Sequence, residues 1–285
     1  GVTAIMRTLA CWILLLLALP LQAQTAKELL KQAFGAAEKG MADQAIELAT
    51  RAIKADPKSI EAHAIRAALY EGTGKFLESA ADYTRILELG AVNPSSIYHD
   101  RGRVYFKAAK FKESIADFDK EIELDPRRKI SHWQRGIAYY YAGRYDDGRK
   151  QFEGYREFDS NDVENAVWRF MCMTKTVGIE KARKDMLKIG NDKRVPMRQI
   201  YDLYKGDLKI DDVFATVKAN NPEESELNAR NFYAHLYVGI YYDLLGDRAK
   251  AFEHLNIATE KHRIAHTMWD VARVHRDLLA KERKK

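Results

Sequence analysis

The stretch Ser131-His-Trp-Gln-Arg-Gly-Ile-Ala-Tyr-Tyr-Tyr-Ala-Gly-Arg144 decides how this chain reads. Gly136 is followed three residues on by Tyr139, and then by Gly143. A second amphipathic segment follows at once, with Gly148 and then Phe152 in the corresponding roles. That order describes a helix, a tight turn and a second helix packed back on the first. The glycines remove side chains where two backbones approach, and the aromatic rings fill the space beside them.

The same order recurs along the chain. With each key small residue counted as position 8, four units begin at Ala26, Ile60, Ser95 and Lys129, spaced by 34, 35 and 34 residues. Position 8 reads Ala33, Ala67, Gly102 and Gly136, and position 11 reads Ala36, Tyr70, Tyr105 and Tyr139. Position 20 is always small (Ala45, Ser79, Ser114, Gly148), and position 24 reads Ala49, Tyr83, Phe118 and Phe152. Asp56-Pro57, Asn93-Pro94 and Asp125-Pro126 close three units, because proline cannot continue a helix but can open the next. The pattern resembles the tetratricopeptide repeat. One residue departs from it: Glu121 stands at position 27, where Ala52, Ile86 and Tyr155 are apolar.

Beyond Phe158-Asp-Ser-Asn161 the pattern weakens. Val163–Thr174 and Ile179–Ile189 read as a degenerate fifth helix pair, with Gly190 as a stop. Short helices are expected over Pro196–Tyr204 and Ile210–Val217. Asn221-Pro222-Glu223-Glu224 reads as an N-cap, a first-turn proline and acids that suit the helix dipole. The repeat returns at Phe232–Thr259, and Ile264–Leu279 reads as a helix capping the last apolar face. The expected fold is all-α: a right-handed tetratricopeptide superhelix, an α-solenoid with an irregular helical insert and a C-terminal capping helix. Its expected divisions are a signal peptide over 1–23, four repeats over 24–160, a degenerate region over 161–230, and a last repeat with its cap over 231–285.

Composition agrees with a folded helical protein. The 285 residues are 46% hydrophobic and 31% charged, with six prolines, which places the chain outside the disordered class. A net charge of +6 reads as a solvated helical surface, with no specific nucleic-acid binding expected. Met6-Arg7 reads as a start and positive n-region, and Leu9–Leu19 as the apolar core of a signal sequence. That core is short of the ~20 residues needed to span a bilayer, and Pro20-Leu-Gln-Ala23 offers a cleavage site. Secretion across the inner membrane to the periplasm or exterior is therefore expected, with no transmembrane span in the mature chain. Cys11 precedes most of the apolar run instead of following it, which argues against a lipobox. Cys172, within Phe170-Met-Cys-Met173, reads as a buried apolar residue.

No catalytic motif appears. Gly72-Thr-Gly-Lys75 sits at an inter-helix turn and lacks the rest of a phosphate loop. His262 and His266 would share a helical face if a helix ran through them, but Asp270 is too far along it to join them on one ion. Neither cofactor nor metal is expected. An enzyme using His235 or His266 is one alternative. A glycan- or polyanion-binding protein using Lys181, Arg183, Lys184, Lys188, Lys193 and Arg194 is another.

The first helices carry the functional expectation. In the superhelix, positions 2, 5, 9 and 12 line the concave face. They supply His99, Arg103 and Phe106, then Ile130, Trp133, Ile137 and Tyr140, and finally Tyr233 and Leu236. These residues form a candidate protein-binding groove. The sequence leaves open whether that groove is free or filled by the chain's own later helices.

Arg135-Gly-Ile-Ala138, Tyr140-Tyr141 and Gly143-Arg144 also resemble the NlpI-like family of bacterial envelope lipoproteins, here without the lipobox. Phe158–Asp162, the Trp168 helix, Asn231-Phe-Tyr233 and Leu245-Gly-Asp247 extend the resemblance over roughly Ser95 to Leu279. It implies a non-catalytic adaptor that docks cell-wall hydrolases or proteases, meets other envelope proteins or peptides, and can form homodimers.

Overall fold

The computed structural model describes residues 24–282, so the leader expected over residues 1–23 lies outside the described residues. The structure is helical, with no strand among the described residues. The chain divides into two compact units between Ala91 and Val92, inside the run of four repeats.

The first unit contains α1 (Ala26–Glu38), α2 (Ala42–Ala55), α3 (Ile60–Gly72) and α4 (Phe76–Glu88). Thr25 opens α1 through a reciprocal capping box with Glu28, and Ser59 caps α3 by accepting from the Ala62 N–H. The α1–α2 pair buries Leu29, Leu30, Ala33, Ala45, Leu48 and Ala49, so small residues at positions 8 and 20 bring the backbones together. Arg66 then ties the next pair, donating to both Asp82 oxygens at 2.8 Å.

The second unit begins with α5 (Pro94–Lys107), α6 (Phe111–Leu124), α7 (Trp133–Tyr141) and α8 (Tyr145–Tyr155). Asn93 caps α5, with Pro94 at its first position. Asp125-Pro126 does not open the next long helix directly. It leads into a single 3-10 turn (Pro126–Arg128), and α7 starts only at Trp133. The His132 ring caps α7, its Nδ1 accepting the Arg135 N–H at 3.2 Å.

Gly136 shows why position 8 must be small. A Cβ built there would lie 2.6 Å from Phe152 Cζ and 2.9 Å from Cε1, inside a ring that is 1% exposed. Gly136→Ala is expected to destabilise the second unit by about 1–2 kcal/mol, overpacking outweighing the gain in helix propensity. Urea unfolding of the second unit measures this, and a midpoint unchanged or raised counts against the packing described.

The fifth pair, α9 (Val163–Val177) and α10 (Ile179–Lys184), keeps the register of the first four. Val163 lies 34 residues after Lys129, and Ala182, at position 20, is fully buried. Arg169 reaches Asp185 at 2.9 Å, repeating the sixteen-residue spacing of Arg66–Asp82 and Arg101–Asp117. Only the second helix is cut short. Gly190 is not its stop: the Gly190 N–H donates to Ser160 O at 2.9 Å, in an extended connection.

Then come α11 (Met197–Lys205), α12 (Ile210–Ala215), α13 (Glu224–Leu244), α14 (Arg248–Lys261) and α15 (Thr267–Glu282). Asn221 is not a cap, since it has a φ of 47° and α13 starts three residues later with no side-chain cap on its N-terminus. The final helix buries Met268, Val271, Val274 and Leu279, and it packs on α5 as well as on α14.

Candidate functional site

The nine residues expected to form a groove separate into four groups. Phe106, Ile137, Tyr140 and Leu236 are core residues, between 0% and 6% exposed. His99 and Arg103 belong to polar contacts, with His99 bonded to Glu121 and Arg103 3.6 Å from Asp100. Ile130 precedes α7 and lies in a different surface hollow, beside Arg135 and Tyr139. Trp133 and Tyr233 are half-buried, Trp133 beside open space, and His266 stacks on Trp133 with ring centroids 6.3 Å apart.

For Phe106 and Ile137 the reason is the last helix, whereas Tyr140 packs on Tyr145 and Trp168. Thr267 and Val271 of α15 press against Arg103, Phe106 and Ile137, leaving a gap of only about 10 Å³. That is no more than one water occupies on this measure. Polar contacts fasten the helix there. Lys107 Nζ lies 2.8 Å from Asp270, and Arg273 Nη2 donates to the Lys107 carbonyl at 2.9 Å. His275 bridges Tyr141 at 2.9 Å and Asp243 at 3.2 Å. In the second unit the first-helix face is therefore filled by the chain itself.

The misfit at Glu121 resolves into a buried network. Its side chain is 1% exposed, and His99 Nδ1 and His132 Nε2 both lie 2.8 Å from Oε2. Arg128 lies 2.8 Å from Oε1. Burial alone would push this carboxyl up, but the hydrogen bonds from His132 and His99 outweigh it and hold the group at about 2. The three side chains His99, Glu121 and His132 bring ligand-type atoms within 4.8 Å of one another, a constellation that the sequence reading missed. The cap geometry opposes metal binding there. Because His132 Nδ1 accepts the Arg135 N–H, its Nε2 carries the proton that Glu121 receives, and no lone pair remains for an ion. Burial also pushes the His132 imidazolium pKa down, consistent with a neutral ring.

Among the other histidines, His235, His254 and His262 lie together and His266 stacks on Trp133. Residues 262–266 lie between helices, so His262 and His266 share no helical face. His262 bonds Asn228 at 3.1 Å. His235 instead packs with His254 and Phe214, and burial, with His254 and His262 nearby, lowers it to about 4. The basic cluster is also partly neutralised: Arg183 pairs with Glu180, and Arg194 with Asp162, Glu164 and Asp192. Cys172 is fully buried in the core, and burial pushes its thiol up to about 12.

A cavity of about 340 Å³ is bounded by α7, α8, α9 and the segments around Asp159–Asp162 and Asn191–Arg194. Its floor holds buried Ile137, Phe152, Trp168 and Met268, and Trp133 forms part of its wall. Its rim includes exposed Asn161, Lys193 and His266. This volume lies at the lower end of the range for small-ligand pockets, roughly 300–1,000 Å³.

Comparison with known proteins agrees with the repeat reading. A tetratricopeptide-repeat family profile matches residues 30–94 and 99–163. A tetratricopeptide repeat protein from Parabacteroides merdae is similar in structure, with a TM-score of 0.53 at 13% identity, over 90% of this chain and 98% of that one. The MamA protein is similar with a TM-score of 0.52 at 14% identity, over 70% of this chain and 97% of that one. At these identities the likeness bears on the fold alone. The helix pairs within residues 30–94 and 99–163 match tetratricopeptide repeats, and within each unit successive pairs pack as in an α-solenoid.

Proposed function

We propose that this tetratricopeptide-repeat chain is a non-catalytic adaptor of the bacterial envelope that brings other envelope proteins together. The observation that carries the reading is the repeat array itself, matched over residues 30–94 and 99–163. Such repeats typically serve as protein-interaction scaffolds. The leader-like Met6–Ala23 segment and the resemblance of Ser95–Leu279 to NlpI-like lipoproteins support the envelope setting, with cell-wall hydrolases or proteases as the partners to look for.

The surface suited to this role lies in the first unit. Phe34, at position 9 of α1, is 54% exposed, whereas its counterpart Ile137 is 2% exposed. Ala68, at position 9 of α3, is also exposed, and Ala64, at position 5, is half-buried. Exposed aromatics of this kind anchor protein interfaces. The test is affinity capture from envelope extracts with the wild-type chain and Phe34→Ala, quantified by mass spectrometry. Recovery of specific partners is expected to fall about tenfold in the variant, as for a hot-spot residue. An identical partner profile from both chains would remove this surface from the account.

A further inference from the structure

His235 of α13 and His254 of α14 meet across the last repeat, with their Nδ1 atoms 3.0 Å apart. The ring centroids are 5.1 Å apart and the planes 36° from parallel. The packing of the two helices holds the rings there. Gly239, one turn beyond His235, marks their close approach: a Cβ built on it would lie 2.9 Å from Leu255 Cγ, 3.2 Å from the Ala251 carbonyl oxygen and 3.3 Å from His254 Cβ. The pair is therefore set on packed helices and not on a loop, which favours a fixed geometry.

Among the described residues each Nδ1 has the other as its hydrogen-bond partner. Burial holds His235 at about 4 and pushes His254 below its ordinary value, so both rings are neutral near neutral pH. One therefore donates its Nδ1–H and the other accepts. This differs from the Glu121 network, where His132 Nδ1 is already taken by the Arg135 N–H. Phe214 packs on both rings, at 4.8 and 5.7 Å, and Tyr242 packs on His254 at 5.4 Å. That aromatic shell restrains the imidazoles, while their half-buried position leaves an approach from solvent.

Two imidazoles bound to one metal ion at about 2.0–2.1 Å hold their nitrogens about 3 Å apart at right angles, and about 3.3 Å apart in a tetrahedron. The observed 3.0 Å matches the first value, that of adjacent ligands on a tetragonal ion such as Cu²⁺. We propose that His235 and His254 form a two-histidine site for a divalent transition-metal ion, with Cu²⁺ preferred. The ion replaces the proton between the rings. That proton moves through solvent to Nε2 of its own ring, and both Nδ1 lone pairs go to the metal. His262 stacks on His235 at 5.8 Å, but the three rings do not place one nitrogen each within 4.8 Å of one another. The protein thus supplies two ligands and water the rest. The site goes beyond the adaptor reading and does not depend on it, since an ion binds without any protein partner.

The test is calorimetric titration of the untagged full chain with Cu²⁺, with glycine present to compete for weak surface sites. One equivalent should bind saturably, with a glycine-corrected Kd of about 10 μM or tighter. Zn²⁺ should bind at least about tenfold more weakly. Pulsed electron paramagnetic resonance of the wild type with one equivalent of Cu²⁺ should show two imidazole ligands, a readout that needs no variant. His235→Ala and His254→Ala should each reduce that number to one and weaken binding about tenfold or more. His266→Ala, which removes a ring stacked on Trp133, should do neither. The proposal is overturned if no one-equivalent site saturates, if the wild type shows fewer than two imidazole ligands, if Zn²⁺ binds as tightly as Cu²⁺, or if either pair variant binds Cu²⁺ like wild type.

Discussion

Glu121→Ala is expected to lower the stability of the second unit by about 3–5 kcal/mol, the range for breaking a buried ionic network from one side. The carboxylate is 1% exposed and receives His99, His132 and Arg128 together. Removing it strands a fully buried imidazole N–H and a guanidinium that has lost its partner. The network also fixes a pH window. Glu121 is held at about 2, below its ordinary 4.5, so its contribution is complete above pH 4.5 and is lost as pH falls towards 2. At full size that contribution is about 3 kcal/mol, from about 1.4 kcal/mol per pK unit. Thermal unfolding of wild type and Glu121→Gln between pH 6 and pH 2.5 reads both effects. The wild type should lose stability steeply below pH 4.5, and the variant should start lower and fall less. Parallel curves would mean that Glu121 does not carry the acid sensitivity.

Val271→Asp should be at least as damaging. Val271 is 1% exposed and closes the gap against Phe106 and Ile137 on the face that the first helices present. An unpaired carboxylate there has no hydrogen-bonding partner, and a loss of about 4 kcal/mol or more is expected. The first unit has its own core around Leu29, Leu30 and Leu48, so its unfolding transition should be retained. Lys281→Asp, at an exposed position of the same helix, is the control and should leave the melting curve nearly unchanged. Calorimetry that shows Val271→Asp equivalent to this control would mean that α15 does not pack where described.

The repeat frame was legible because small and aromatic residues recur at fixed positions, and local packing within a helix pair depends on little else. Gly136 against Phe152 could be anticipated from spacing alone. The placement of α15 could not. Its apolar periodicity says that one face is buried, but the surfaces that receive it belong to α14, α5 and α7, and Arg273 meets Lys107 across 166 residues of sequence. For that reason Phe106 and Ile137 read equally well as groove or core. Glu121 was visible only as an exception to the pattern. Its meaning required knowing that His99 and His132, from successive repeats, converge on one oxygen. Two signals were available: an acid at an apolar position, and an arginine followed sixteen residues later by Asp82, Asp117, Gln151 or Asp185. The cavity was least accessible, since its acids come from two connections and the first turn of α9, and its floor from four different helices.

The central claim is that the second unit's first-helix face is filled by its own C-terminal helix. Native-state hydrogen exchange of the full chain tests it most directly. If α15 is an integral part of the core, the amides of Met268–Leu279 should exchange with the same high protection as those of Ile137–Tyr141 in α7, through a shared unfolding event. Exchange of α15 several orders of magnitude faster than α7 would contradict the claim and restore Phe106 and Ile137 as an open groove.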